Sequence, residues 1–392
     1  SITSMKLRGS WGLVGNDQIG GERFIYMPTI NLSGKGFTTG IDQNYGLSGP
    51  VYTRYENNSI TWEVVEKINL GIDLQLLNSL NIVVDIFRET RRDIFQKKGT
   101  IPTYLGTGNT DVFGNLAEMK NQGLDLSIDY NKAFSKDFYM NFKGTFTYAH
   151  NEITKYDEAP KYAFQSKVGQ SANVSQGYLS NGLFLDEAEI DRYNQQMGST
   201  LGAGDIKYLN VSNMHGYGDD IVDVDDWTWI GNPTVPEIVY GFGPSFKYKN
   251  WDFSFFFQGV AKTSLFMSGF HPFGDNSLRN VLQFVANDRW SPTNQNVDAK
   301  YPRLTRKTSL NNTNPGNSGR TSDYWMRDGS FLKLKNMELG YTFKRMRFYI
   351  SGSNLLTFSK FDLWDPEQGG GSGLKYPTQR VFNVGFQMTF NN

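Results

Sequence analysis

At 392 residues the chain is long enough for one large domain or two ordinary ones, yet only 38% of it is hydrophobic, and no apolar run could cross a bilayer as a helix. Thirty-nine basic residues balance thirty-nine acidic ones, so no global field favours nucleic acid or another polyanion. Cysteine is absent, which removes disulfides, thiol catalysis and thiolate metal sites together. Aromatic residues reach 15% beside 41 glycines, a mixture suited to twisted strands, tight bends and interfacial rings. The opening "SITSMKLRGSWG" has no basic-then-apolar leader, so a mature form or a piece of a longer protein is expected.

Alternation with period two begins at once. Leu7, Gly9, Trp11 and Leu13 share one parity. Ile68, Leu70, Ile72, Leu74 and Leu76 follow, and after "NS" Leu80, Ile82, Val84 and Ile86 resume the pattern, which predicts a hairpin with a tight turn. Leu124, Leu126, Ile128 and Tyr130 repeat it, then Phe138, Met140, Phe142, Phe146 and Tyr148. Tyr240, Phe242, Phe246 and Tyr248 lead through "KN" into Trp251, Phe253, Phe255 and Phe257. Met337, Leu339, Tyr341 and Phe343 lead through "KR" into Met346, Phe348 and Ile350, and the chain closes on Phe382, Val384, Phe386, Met388 and Phe390. The intervening positions are charged, polar or small. About ten strands result, each near the length that crosses a bilayer when tilted.

The connections alternate in length. Those near Asn78, 131–137, Asn250 and Lys344 are short, whereas 15–58, 98–117, 151–236, 268–327 and 360–379 are long. Short turns at one end and long loops at the other, with one apolar and one wet face, predict an all-β, transmembrane antiparallel β-barrel with periplasmic turns and extracellular loops. A closed barrel is required because an open edge in hydrocarbon leaves backbone groups unpaired.

Several segments carry a family resemblance. "DGSFLKLKNMELGYTF" from Asp328, "SGSNLLTFSKFDLWDPE" from Ser351, "YPTQR" from Tyr376 and the terminal "VGFQMTF" stand in the order and spacing of the C-terminal part of SusC/RagA-like TonB-dependent outer-membrane transporters. "MKLRGSWGLVGNDQIG" from Met5, "TRRDIF" from Thr90, "NQGLDLSIDY" from Asn121 and "GDIKY" from Gly204 resemble the same family. The resemblance implies a barrel of about 22 strands filled by an N-terminal plug, of which residues 1–392 supply about the last ten strands and no plug. It implies a bacterial outer-membrane location and import of oligosaccharides or oligopeptides. TonB–ExbB–ExbD would supply the energy through the missing N-terminal region, and a SusD-like lipoprotein would form the lid. It also implies a C-terminal barrel signal, placed on Phe386, Met388 and Phe390.

The densest polar stretch is "NVSNMHGYGDDIVDVDDWTWIGNP". Carboxylates at Asp219, Asp220, Asp223 and Asp226 are candidate ligands for calcium in the 210–226 loop, since hard oxygen donors at short spacing suit that ion. The resemblance implies an EF-hand-like run here. Val222, Asp223, Asp226, Thr228 and Gly231 keep its second half, while His215 and Tyr217 occupy the places of its first two acidic ligands.

Trp227, Trp229, Tyr324 and Trp325 lie in or beside long loops, where rings can stack on sugar or pack against a lid, or else form an interfacial girdle or a loop core. The basic run Arg88, Arg91, Arg92, Lys97 and Lys98 sits at an outer strand end, suited to lipopolysaccharide phosphates or to a solvated rim. No cofactor is assigned with certainty. His150, His215 and His271 are scattered and no nucleophile elbow occurs, so transport rather than catalysis is expected. "GGGSG" at 369–373 has no Lys-Ser/Thr after it and reads as a flexible turn. The alternative is a self-contained small outer-membrane barrel with protease-like or adhesive loops.

Overall fold

The computed structural model describes residues 2–17, 23–102, 112–193, 195–196, 201–217, 219–270, 273, 280–306, 311 and 321–390. Ten long strands form one sheet in chain order, each antiparallel to the next: β1 (Ile2–Asn16), β2 (Glu63–Leu76), β3 (Leu80–Lys97), β4 (Phe113–Ala133), β5 (Phe138–Lys155), β6 (Ile238–Tyr248), β7 (Trp251–Ala261), β8 (Phe331–Phe343), β9 (Met346–Ser359) and β10 (Val381–Met388). β1 and β10 are its edges.

Register turns the alternation into two chemically opposite faces. Leu7, Ile72, Val84, Leu126, Phe146 and Tyr240 lie side by side from β1 to β6. Met140, Phe246, Phe253, Leu339, Ile350 and Val384 continue the apolar surface from β5 to β10. Behind them run Arg8, Gly71, Asp85, Asp125 and Thr147, then Asn141, Ser245, Ser254, Glu338, Ser351 and Asn383. Among the described residues no second layer covers the apolar face: Leu70 is 63% exposed and Val384 87%. A sheet this apolar outside and this polar inside is the wall of a transmembrane barrel, lipid on one side and lumen on the other.

Every short connection lies at one end. Ser79 donates its N–H to the Leu76 carbonyl at 3.0 Å while Leu77 and Asn78 hold φ of 54° and 55°, the mirror-image turn whose twist matches the strands it joins. Lys249 and Lys344 hold positive φ at the other two-residue turns. The long links, 17–62, 98–112, 156–237, 262–330 and 360–380, all lie at the opposite end. Their bounds differ from the expected ones in both directions: β4 begins at Phe113 and β5 continues to Lys155, which shortens two links, whereas β2 begins only at Glu63, β7 ends at Ala261 and β8 begins at Phe331, so that the first link ends later and the fourth is longer than expected. The first link carries its own hairpin, Thr29–Thr39 against Tyr45–Arg54. Three register shifts break its alternation, and that hides it from a periodicity reading.

The buried core lies not behind the sheet but in the links. Tyr178, Leu183, Ile206, Tyr208, Met267, Phe273, Tyr301 and Trp325 form one cluster, joined by Phe361 from the last link. The links 156–237, 262–330 and 360–380 therefore fold together into a lobe at the outer end.

Candidate functional site

The polar face is stitched by two arginines built alike. Arg8 reaches from β1 across Gly71 of β2, donating to Asp73 Oδ1 at 2.7 Å and to Asp85 Oδ2 of β3 at 2.9 Å. Arg347 reaches from β9 across Gly340 of β8 to Asp252 of β7, and to Glu338 Oε1 at 2.6 Å. Both crossings need glycine: a Cβ on Gly71 would stand 2.5 Å from Asp85 Oδ1, and one on Gly340 2.5 Å from Asp252 Oδ2. Each guanidinium ties three neighbouring strands through charge-assisted hydrogen bonds. Sequence reasoning passed over both; the available signal was Arg, Gly and Asp sharing the polar parity.

The lobe bends over this face. Lys333, on the polar side of β8, has no exposed side chain and pairs with Asp365 at 2.5 Å and Glu367 at 2.8 Å, both from the last link, while Lys335 holds Glu367 at 2.7 Å. Burial pushes both carboxyls up, but the lysine hydrogen bonds and charges outweigh it and hold Asp365 and Glu367 below their ordinary values. The glycine run that follows is not a loose turn. Gly371 donates to the Phe266 carbonyl at 2.8 Å and accepts from Ser268 N–H at 2.9 Å, and a Cβ on Gly370 would stand 2.6 Å from the Phe266 oxygen. The segment 360–380 is thus a strap pinned across the lumen side. Beneath it lies a cavity of about 530 Å³ bounded by Gln258, Val260, Phe331 and Glu367. A second, of about 310 Å³, opens between the wall and the 156–237 link and is lined by Glu89, Arg91, Asn121, Asn151 and Glu237.

The four aromatic candidates divide. Trp325 is fully buried, with Phe273 at 5.3 Å and Tyr324 edge-on at 5.4 Å, so it offers no ring face to a ligand and serves the loop core. Tyr324 donates its hydroxyl to the Ala299 carbonyl at 2.7 Å, and burial pushes its pKa up. Trp227 packs edge-on to Tyr178 at 6.1 Å against the same cluster. Trp229, half-buried in a short strand paired with Ser175–Gly177, donates Nε1–H to the Ser166 carbonyl at 2.9 Å.

The acidic stretch is closed by hydrogen bonds. Asp226, fully buried, accepts from Ser212 N–H at 2.9 Å, Ser212 Oγ at 3.0 Å and Asp223 N–H at 2.8 Å. Asp223 accepts from Asp225 N–H, completing a reciprocal cap. Asp219 accepts from the Asn210 amide at 3.0 Å, and Asp220 is exposed. Among the described residues no three acidic or histidine side chains converge on one point.

The basic run splits by parity. Arg92 pairs with Glu66 at 2.5 Å on the apolar side of the rim, and Arg88 shares that parity, whereas Arg91 pairs with Glu63 on the lumen side. His150 lies 2.5 Å from Glu237 at the rim. His271 falls outside the described residues. Phe386 and Met388 extend the lipid face beside Phe348 and Met346, and Phe390 follows, 80% exposed.

No protein-family model matches the chain. Curated relatives do. A TonB-dependent receptor, P3, of Formosa agariphila is 26% identical over 427 residues that take in 100% of this chain and 40% of the relative. The TonB-dependent receptor SusC of Bacteroides thetaiotaomicron is 26% identical over 416 residues, 99% of this chain and 38% of the relative. The chain thus spans about two fifths of the length of the curated relatives it matches. Among solved structures, the RagAB peptide importer in its closed-closed state superposes with a TM-score of 0.68 at 21% identity, covering 99% of this chain and 41% of the other. The RagAB peptide transporter gives 0.67 at 20%. The chain has the fold of a barrel wall in RagAB and is similar from end to end to TonB-dependent receptors such as SusC, which bears out the family resemblance read from its sequence.

Proposed function

We propose that the chain forms part of the wall and mouth of an outer-membrane importer rather than an enzyme. The observation that carries this is the pairing of a wall, apolar on one face and polar on the other across all ten strands, with a packed lobe leaning over the polar face. A wall gives a water-filled path and a folded mouth gives selection; neither is a device for bond chemistry.

The cargo is an oligosaccharide or oligopeptide. The peptide reading draws on the RagAB structures, whose cargo is a property of that protein, and the glycan reading on what the family resemblance of the sequence implies. The two cavities between wall and lobe, lined by carboxylates, amides and an arginine, suit a polar, extended solute. Energy comes from TonB–ExbB–ExbD and the lid is a SusD-like lipoprotein. The half-buried rings of Trp227, Trp229 and Tyr324 face cargo or lid, Arg88 and Arg92 meet lipopolysaccharide, and Phe386, Met388 and Phe390 mark the chain for barrel assembly.

Uptake tests this reading. Cells carrying the full-length protein are offered mixed oligopeptides and oligosaccharides, and depletion of the medium is followed by mass spectrometry. One class disappears only when the protein and TonB are both present. Depletion that persists without TonB, or the absence of depletion of either class, contradicts the proposal.

A further inference from the structure

Within the 210–226 loop, three oxygens converge on one point that a nitrogen fills. The Asn210 amide nitrogen donates to the Asp219 carbonyl at 2.9 Å, to Asp219 Oδ1 at 3.0 Å and to the Ile221 carbonyl at 3.3 Å. A carboxylate and two backbone carbonyls turned toward a common centre are the donor set a hard cation gathers, and here an amide with two hydrogens stands at that centre. Asp226 likewise spends both its oxygens, and Asp223 its Oδ1, on N–H and O–H donors of the loop itself.

The two positions where acidic ligands are implied, His215 and Tyr217, also have partners. The His215 ring lies nearly parallel to Phe164, centroids 4.6 Å apart at 14°. Tyr217 stands 4.2 Å from Tyr162, and Tyr162 stacks on Phe164 at 5.5 Å and 11°. Four rings from two segments thus form one pile, held by aromatic contact, with Tyr162 and Phe164 half-buried and His215 and Tyr217 on its exposed side. Around it, Gln165 Nε2 donates to the carbonyls of Val224 at 3.3 Å and Asp225 at 3.1 Å, and Lys161 pairs with Asp225. The segment 161–165 is held to the loop by rings, an amide and one ion pair.

We propose that this loop is a metal-independent clasp, in which the Asn210 amide nitrogen stands where a cation would and the Tyr162–Phe164–His215–Tyr217 pile fastens the loop to the rest of the lobe. The lobe surface that carries Trp227 and Trp229 then keeps its shape at any calcium concentration. The inference is independent of what the protein imports.

Hydrogen exchange of peptides covering 210–226, in the full-length protein in detergent, tests it with chelator or millimolar calcium present. Exchange in the native protein is expected to be equal in the two media. Phe164→Ala is expected to speed it about tenfold in both, because the pile is lost. Asn210→Asp removes the donor and sets a second carboxylate beside Asp219; it is expected to speed exchange about tenfold in chelator and to be slowed again by calcium. Slower exchange in the native protein on adding calcium overturns the proposal without recourse to any variant. Unchanged exchange in either variant in chelator overturns it too, and failure of calcium to rescue Asn210→Asp removes the claim for the amide.

Discussion

A lysine with no exposed side chain is sustainable only if its charge is met, and Lys333 is met twice, by Asp365 and Glu367. Lys333→Met keeps the volume but leaves Glu367 with Lys335 alone and takes from Asp365 its lysine partner. We expect the strap to loosen by about 2 kcal/mol, less than for a fully buried pair because both carboxylates keep some water. Faster proteolytic cleavage within 360–380, with the sheet intact, is the readout. The same contacts set a pH dependence. Both carboxyls are held below their ordinary values of 3.8 and 4.5, so their contribution is complete above those values and is lost as pH falls beneath them. Cleavage of the strap should therefore rise on acidification below about pH 4 and stay flat between about pH 6 and 8. In Lys333→Met the acid-dependent rise should be much smaller.

Among strands, the alternation was legible because lipid and water impose opposite chemistry on successive side chains. Leu124, Asp125, Leu126, Ser127 and Ile128 announce their faces one by one. The rule falters where the backbone does. A bulge between Leu334 and Asn336 shifts parity in β8, so the lumen-side position of Lys333 cannot be read by counting back from Leu339. The glycine-rich hairpin at 29–54 has three shifts, so its sequence carries no alternation that marks it as strand. Gly71 and Gly340 looked like small residues on a wet face, and only the three-dimensional register shows an arginine lying across each. Face assignment predicts substitution costs. Leu126→Arg, in the lipid row, should destabilise the reconstituted protein by about 2–4 kcal/mol, whereas Ser351→Arg on the lumen face should change stability by less than about 0.5 kcal/mol. Urea unfolding in vesicles measures both, and equal costs would contradict the assignment.

The molecule is two materials joined: a wall whose apolar side chains face outward, and a lobe whose apolar side chains face each other. Sequence showed the first and hid the second, because lobe residues such as Tyr178, Ile206, Phe273 and Trp325 follow no period and meet only across long separations. The "GDIKY" segment illustrates this. Asp205 is buried on Arg303 and Asn311, Ile206 and Tyr208 are core, and Gly204 at φ 83° lies against Trp290, where a Cβ would clash. Trp325→Ala should cost the lobe about 3–5 kcal/mol and leave the wall folded, seen as hydrogen exchange rising in 156–237 and 262–330 but not in β1 to β5. The account rests above all on which face of the wall meets lipid, and the lack of native cysteine in these 392 residues favours a direct measurement. Single cysteines at Leu124, Asp125, Leu126, Ser127 and Ile128, labelled with a fluorophore in full-length protein in vesicles containing nitroxide lipid, should be quenched at Leu124, Leu126 and Ile128 and spared at Asp125 and Ser127. Uniform quenching, or the inverse alternation, would contradict a lipid-facing barrel wall.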